Sequence, residues 1–97
     1  MSCHAITRFH ASVGQEEALV GLLTEGRNRM RSAEGCQSFD VLRDETEAQA
    51  LVFIQQWSSH EAHDAAFTEL ILQSGHLEKV LAALDEPIVQ NNYDVID

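Results

Sequence analysis

The chain has 97 residues, with 16 Asp and Glu against 6 Lys and Arg, a formal charge of −10 and 44% hydrophobic residues. That length makes one domain, residues 1–97, whose apolar content excludes a disordered chain. The negative field excludes nucleic-acid binding and disfavours docking on anionic membranes, leaving small neutral or aromatic molecules and self-association open.

The N-terminus lacks a basic segment followed by an apolar one, and no apolar run reaches the roughly 20 residues that span a bilayer; the expected location is the cytoplasm. Cys3 to Ala11 reads as a first strand, with His4, Ile6, Arg8 and His10 on one face and Cys3, Ala5, Thr7, Phe9 and Ala11 on the other. Gly14 then opens a helix with Gln15, Glu16 and Glu17 in its first turn, where acid favours the positive dipole end. Leu19, Leu22, Leu23, Gly26, Met30 and Ala33 form its buried stripe, and Gly26 is expected to permit close packing against the sheet. Arg27, Arg29 and Arg31 suit the C-terminal half, and Gly35 reads as the residue that ends the helix.

Cys36 to Arg43 alternates as a second strand, and Asp44-Glu-Thr-Glu47 is a polar turn into a third, Gln49 to Trp57. Within it, Leu51 to Ile54 are apolar in succession, as in a strand covered on both faces. Ser58 with Glu61 reads as a capping box opening a helix to about Leu70. Ser74-Gly75 interrupts it, and Ser74 is expected to cap a further helix carrying Leu77, Val80, Leu81 and Leu84, which Pro87 stops. Ile88 to Ile96 reads as a last strand, with a bulge or an edge near Gln90-Asn91-Asn92.

The order β-α-β-β-α-β is the ferredoxin-like arrangement of the α+β class, a four-stranded antiparallel sheet with helices on one face. So few helices cover only one face, so the apolar residues left on the other predict a homodimer with two sheets face to face.

Five segments then resemble a known family in order and spacing. They are Val13-Gly14-Gln15-Glu16-Glu17, Glu34-Gly35-Cys36-Gln37-Ser38-Phe39, Phe53-Ile54-Gln55-Gln56-Trp57 followed by Ala62, Gly75-His76-Leu77 and Tyr93-Asp94-Val95-Ile96. Together they are similar to the antibiotic biosynthesis monooxygenase family, whose members are dimeric α+β barrels. The resemblance implies oxygenation of electron-rich aromatics, such as quinols and polyketide phenols, with dioxygen and without metal, flavin or haem. Many relatives carry His nine residues after the Trp, and this chain has Ala66 there. Haem-degrading relatives pair a first-strand Asn with that Trp and a helical His; the first strand here has no Asn, so haem degradation is not expected.

His76 matches a family His at a helix start, where the dipole favours a neutral imidazole able to act as a base. Arg8 and His10 share a strand face suited to holding a phenolate and moving a proton, and with His76 they form the expected catalytic set. Trp57, Phe39, Phe53 and Tyr93 are the expected substrate-binding walls, although each also suits core or interface packing. His60, His63 and Asp64 share a helical face but lack a third strong ligand, so no metal site is expected. Cys3 and Cys36 read as reduced thiols. The expected activity is cofactor-independent oxygenation of a small quinol or phenol; the alternative is a non-catalytic dimer that binds a small molecule or serves a stress response.

Overall fold

The computed structural model describes residues 3–96. In chain order it contains β1 (Cys3–His10), α1 (Glu16–Arg31), β2 (Cys36–Arg43), β3 (Ala50–Trp57), α2 (His60–Phe67), a π-helical turn (Thr68–Leu72), α3 (His76–Ala82) and β4 (Val89–Tyr93). The strands pair antiparallel in the order β2-β3-β1-β4, the ferredoxin-like topology the sequence pattern predicts.

Strand parity and register decide which residues meet the helices. On β1, Cys3, Ala5, Thr7 and Phe9 stand opposite Trp57, Gln55, Phe53 and Leu51 of β3, and this face is covered. Two apolar clusters fill the space above it. One holds Phe9, Leu19, Leu23, Leu51 and Val80; the other holds Met30, Phe39, Trp57, Ala66 and Ile71. Phe53 packs against both, edge-on to Phe9 at 4.9 Å and to Phe39 at 4.7 Å. Helix α1 turns Leu19, Leu23, Gly26 and Met30 to this layer and carries Glu16, Glu17 and Arg29, Arg31 at the ends that suit its dipole.

Several local expectations give way to particular hydrogen bonds. The residue capping α2 is Ser59, whose Oγ accepts from Ala62 N–H, and not Ser58. Ser58 is held one step earlier because its N–H donates to Gly35 O at 2.8 Å. Gly35 does not end α1 either: Ser32 is the C-cap, and Gly35 sits in a turn closed by Cys36 N–H on Ala33 O at 3.1 Å. Gly75, and not Ser74, holds the cap position of α3; Ser74 Oγ donates back to Leu70 O and Ile71 O and accepts from His76 N–H at 3.4 Å. On α3, Leu81 is exposed and His76, Val80 and Ala83 are buried, so the histidine occupies the inward stripe where a leucine was expected. Of the bulge or edge expected near Gln90-Asn91-Asn92, the edge is what forms: the three pair in register on β4, an edge strand, and the ladder irregularity lies at Cys36/Ser38 in β2.

The opposite sheet face is bare. Ile54, Leu42, Val89 and Tyr93 are 37–49% exposed there, beside Arg8. The double apolar run of β3 therefore has one face covered by helices and one uncovered within a single chain. Among the described residues, no helix is long and apolar enough to cross a membrane.

Candidate active site

Between the covered sheet face and the helices lies a cavity of about 100 Å³. Its floor is Thr7, Phe9, Phe39, Phe53 and Gln55; α1 supplies Leu22, Leu23, Gly26 and Met30; α2 supplies His63 and Phe67. Ile71 from the π turn, then His76, Leu77 and Val80 from α3, complete the roof. Gln90, exposed on edge strand β4, brings the cavity to the border of the sheet. The lining is mostly apolar with a few convergent polar groups, as in small-molecule sites.

The polar groups form a single directed chain. Trp57 Nε1–H donates to Gln55 Oε1 at 2.8 Å, Gln55 Nε2 donates to Thr7 Oγ1 at 3.4 Å, and Thr7 Oγ1 donates to Gln90 Oε1 at 2.9 Å. Gln90 Nε2 then donates to Asn92 Oδ1 at 3.3 Å. An indole N–H only donates, so Trp57 fixes which end of the Gln55 amide faces it, and the orientation passes along the chain. Thr7 and Gln55 are buried, and satisfied polar groups in a low-dielectric interior are rigid and strongly directional. One N–H of the Gln55 amide and one of the Gln90 amide remain outside this chain, both on residues that line the cavity.

Two imidazoles line the same space. His76, at 3% exposure, donates through Nε2 to Leu22 O at 2.7 Å. Its Nδ1 is 3.0 Å from Glu25 Oε2, close enough for an ion pair but without the alignment of a hydrogen bond, so that atom has no hydrogen-bond partner. Gly26 faces this ring: a Cβ there would sit 3.5 Å from His76 Nε2 and 3.9 Å from Ile71, both ordinary contact distances. Its neighbours are therefore other helical elements rather than the sheet, and none of them requires a glycine at this position. His63 stands edge-on to Trp57 at 5.5 Å and stacks on Phe67 at 6.1 Å. Its Nδ1 donates to Asp64 Oδ1 at 3.1 Å, which leaves Nε2 as the accepting nitrogen.

Of the residues expected from sequence, the structure brings His76, Phe39 and Phe53 to the cavity, and Trp57 reaches it through Gln55. Arg8 and Tyr93 do not line it; strand parity turns them to the uncovered face, Tyr93 opposite His4 and Arg8 opposite Val52 and Val89. His10 lies at the far end of β1, clamped by Glu47 at 2.7 Å through Nε2 and by Asp85 at 2.6 Å through Nδ1. Those two hydrogen bonds, Asp85 first, push its pKa up to about 9. His10, Asp85 and Glu86 bring ligand-type atoms within 4.8 Å of one another, but both ring nitrogens already donate to carboxylates, so the group is an ion-pair cluster rather than a metal donor set. Cys3 Sγ lies 2.8 Å from His60 Nδ1; burial, followed by nearby Asp94, Asp64 and Glu61, raises its pKa, so it is a thiol donor and not an activated nucleophile.

Thr7, Gln55, Gln90 and His63 were not singled out as site residues from sequence. A signal existed for three of them. Thr7 and Gln55 are polar residues at strand positions whose parity is otherwise apolar, and His63 shares the i, i+4 face of Phe67.

A family model for antibiotic biosynthesis monooxygenase matches residues 2–76. No curated protein matches the sequence. Among solved structures, Rv0793 from Mycobacterium tuberculosis superposes with a TM-score of 0.88 at 22% identity, over 100% of this chain and 97% of that one. PA3566 from Pseudomonas aeruginosa gives 0.85 at 21% identity, over 99% and 95%. A variant of SnoaB, a cofactor-independent oxygenase from Streptomyces nogalater, gives 0.84 at 14% identity, over 99% and 94%. With three quarters of its length matched and the fold shared end to end, the chain belongs to the antibiotic biosynthesis monooxygenase family.

Proposed function

We propose that this protein is a homodimeric, cofactor-independent monooxygenase that inserts an oxygen atom from dioxygen into a small quinol or phenol held in the 100 Å³ cavity. The observation that carries this reading is the directed chain Trp57–Gln55–Thr7–Gln90 on the floor of an otherwise apolar space. A phenol bound there loses its proton to an imidazole, and the amide N–H groups stabilise the phenolate oxygen. The electron-rich ring then supplies the electrons that dioxygen needs, and apolar walls exclude water from the intermediate. The SnoaB likeness supports oxygenation of this kind as an activity the fold accommodates.

Of the two imidazoles, His63 is the better proton acceptor, because its Nε2 is unengaged while His76 holds Nε2 on the Leu22 carbonyl. His76 serves as a positioning residue that joins α3 to α1. Arg8 and Tyr93 belong to the dimer face, with exposed Leu42, Ile54 and Val89 around them. Buried against a second copy, that face resembles half of a core, as obligate interfaces do.

Oxygen uptake by metal-stripped protein with a panel of reduced quinols tests the activity. Uptake above autoxidation, lost in His63→Ala, supports the reading. No uptake across the panel overturns it in favour of a non-catalytic binding dimer, a reading that the Phe-rich walls and the absence of Arg8 from the lining also support.

A further inference from the structure

We propose that the corner between the π-helical turn and α3, residues 70–76, is a lid over the cavity, latched to α1 by Arg29 and His76 and kept releasable by the encounter of His76 Nδ1 with Glu25. This deepens the proposed function by naming what admits a ligand; it rests on the cavity being the binding site and not on the reaction. The corner is closed on itself. Ser74 Oγ donates to Leu70 O and Ile71 O and accepts from His76 N–H, Gln73 N–H donates to Thr68 O, and Gly75 N–H donates to Leu72 O. A segment bonded in this way opens as one unit. Leu72, Gln73 and Ser74 are exposed, and the side chains it buries are Ile71 and His76, both on the cavity wall. The floor is less free to move, since β1 and β3 each have a paired strand on both sides. π-helical turns are rare and concentrate at functional sites.

Two side-chain hydrogen bonds tie the corner to α1, one at each end. Arg29 Nη1 donates to Leu70 O at 3.2 Å, and His76 Nε2 donates to Leu22 O at 2.7 Å. Glu25 stands beside both donors, 3.6 Å from Arg29 Nη2 and 3.0 Å from His76 Nδ1. With Nε2 carrying the donated hydrogen, Nδ1 is an acceptor, and the carboxylate next to it is an acceptor too. They form no hydrogen bond, and among the described residues Nδ1 is the buried side-chain polar atom left without a partner. Such an atom is costly to keep from water. Lifting the corner breaks the two latch bonds but lets Nδ1 and Glu25 hydrate, and that hydration offsets part of the loss. The latch therefore closes to a defined position and still opens readily, as a lid that admits a ligand must.

The test is hydrogen exchange of the intact, ligand-free protein, followed by NMR with water as the probe. Backbone N–H groups of Gln73, Gly75 and His76 read the corner, the indole N–H of Trp57 reads the floor beneath it, and the β1–β3 ladder reads global unfolding. The corner and Trp57 are expected to exchange together, and faster than the ladder. Arg29→Met removes the donor to Leu70 O and is expected to speed both about threefold to tenfold, the loss of one hydrogen bond. Glu25→Gln puts an amide donor beside Nδ1 in place of an acceptor, and is expected to slow both by a similar factor. Both side chains are partly exposed, so folding is not at stake, and ladder exchange corrects for any change in global stability. Exchange unmoved in Arg29→Met, or unmoved or faster in Glu25→Gln, overturns the proposal, as does a corner that opens without Trp57. Oxygen uptake, read separately, distinguishes the two readings: a lid that behaves as expected without uptake sinks the oxygenase alone, and uptake with exchange unmoved by either variant sinks the lid alone.

Discussion

Replacing Gly35 by alanine puts a methyl group where the start of β2 meets the start of α2, and two costs, of backbone and of packing, can be separated there. A Cβ at Gly35 would lie 2.7 Å from Ala62 Cβ and 2.8 Å from Ser58 Oγ, and the residue has φ +90. The left-handed backbone costs roughly 1–2 kcal/mol for a residue with a side chain. Ser58 can rotate its hydroxyl away, but Ala62 has no rotamer to change and belongs to a helix, so overpacking adds roughly 1–3 kcal/mol. The sum, about 2–5 kcal/mol, is a large part of the ~5–15 kcal/mol that holds a domain of this size. Two other glycines isolate the terms. Gly14 has φ +89 and nothing within 4 Å of a built Cβ, so Gly14→Ala carries only the backbone cost of roughly 1–2 kcal/mol. Gly26 lies inside α1 with its nearest neighbour at an ordinary 3.5 Å, so Gly26→Ala is expected to stabilise by about 0.5–1 kcal/mol through helix propensity. Urea unfolding followed by Trp57 fluorescence gives all three values. A Gly35→Ala loss no larger than that of Gly14→Ala would refute the claim that Gly35 is fixed by contact with α2.

Trp57→Phe is expected to cost about 1–3 kcal/mol in urea unfolding followed by circular dichroism, because Gln55 Oε1 is left buried without its donor. Adding Gln55→Met to that variant should cost less than the sum of the two singles, since the broken hydrogen bond is counted only once. His10 has a folded pKa of about 9, above its unfolded value of 6.5, so its stabilising contribution is complete below 6.5 and is lost as pH rises through 9. Stability measured across that window should fall, and His10→Ala should flatten the fall; an unchanged slope removes the clamp as its cause. Ile54→Asp, on the uncovered face, is expected to shift sedimentation from dimer to monomer without altering the far-ultraviolet circular dichroism.

Element type and order were legible because each depended on a local signal strong enough to survive folding: period-two runs for β1 and β2, acid and base at the ends of α1, and a glycine pair of turns around the first helix. Cap assignment was less legible. Ser58 and Ser59 are adjacent and chemically alike, and the choice between them was made by Gly35 O, which is 23 residues away in sequence and takes the Ser58 N–H. Likewise His76 and Leu81 both fit a helical stripe, and His76 lies inward, where its Nε2 finds the Leu22 carbonyl of α1 at 2.7 Å.

The site was harder to read for a reason that lies in the strand itself. On β1, Thr7 and Arg8 are neighbours in sequence and face opposite ways, one into the cavity and one onto the bare sheet face. From sequence alone, the histidines and arginine of the second face are the more conspicuous chemistry, and Thr7 looks like filler. The covered face carries the cavity, and what identifies it is Phe9, Leu51, Phe53 and Trp57, whose bulk requires helices above them. Once those aromatics set the inside, Gln55 becomes anomalous: a primary amide among rings, tolerable only if each polar atom is satisfied. Its carbonyl takes the indole N–H and one amide hydrogen goes to Thr7, so a single hydrogen is left over on a residue that lines the cavity. A buried donor kept without a protein acceptor is costly to maintain, so under the proposed function this hydrogen is the polar group to which a ligand oxygen would bind.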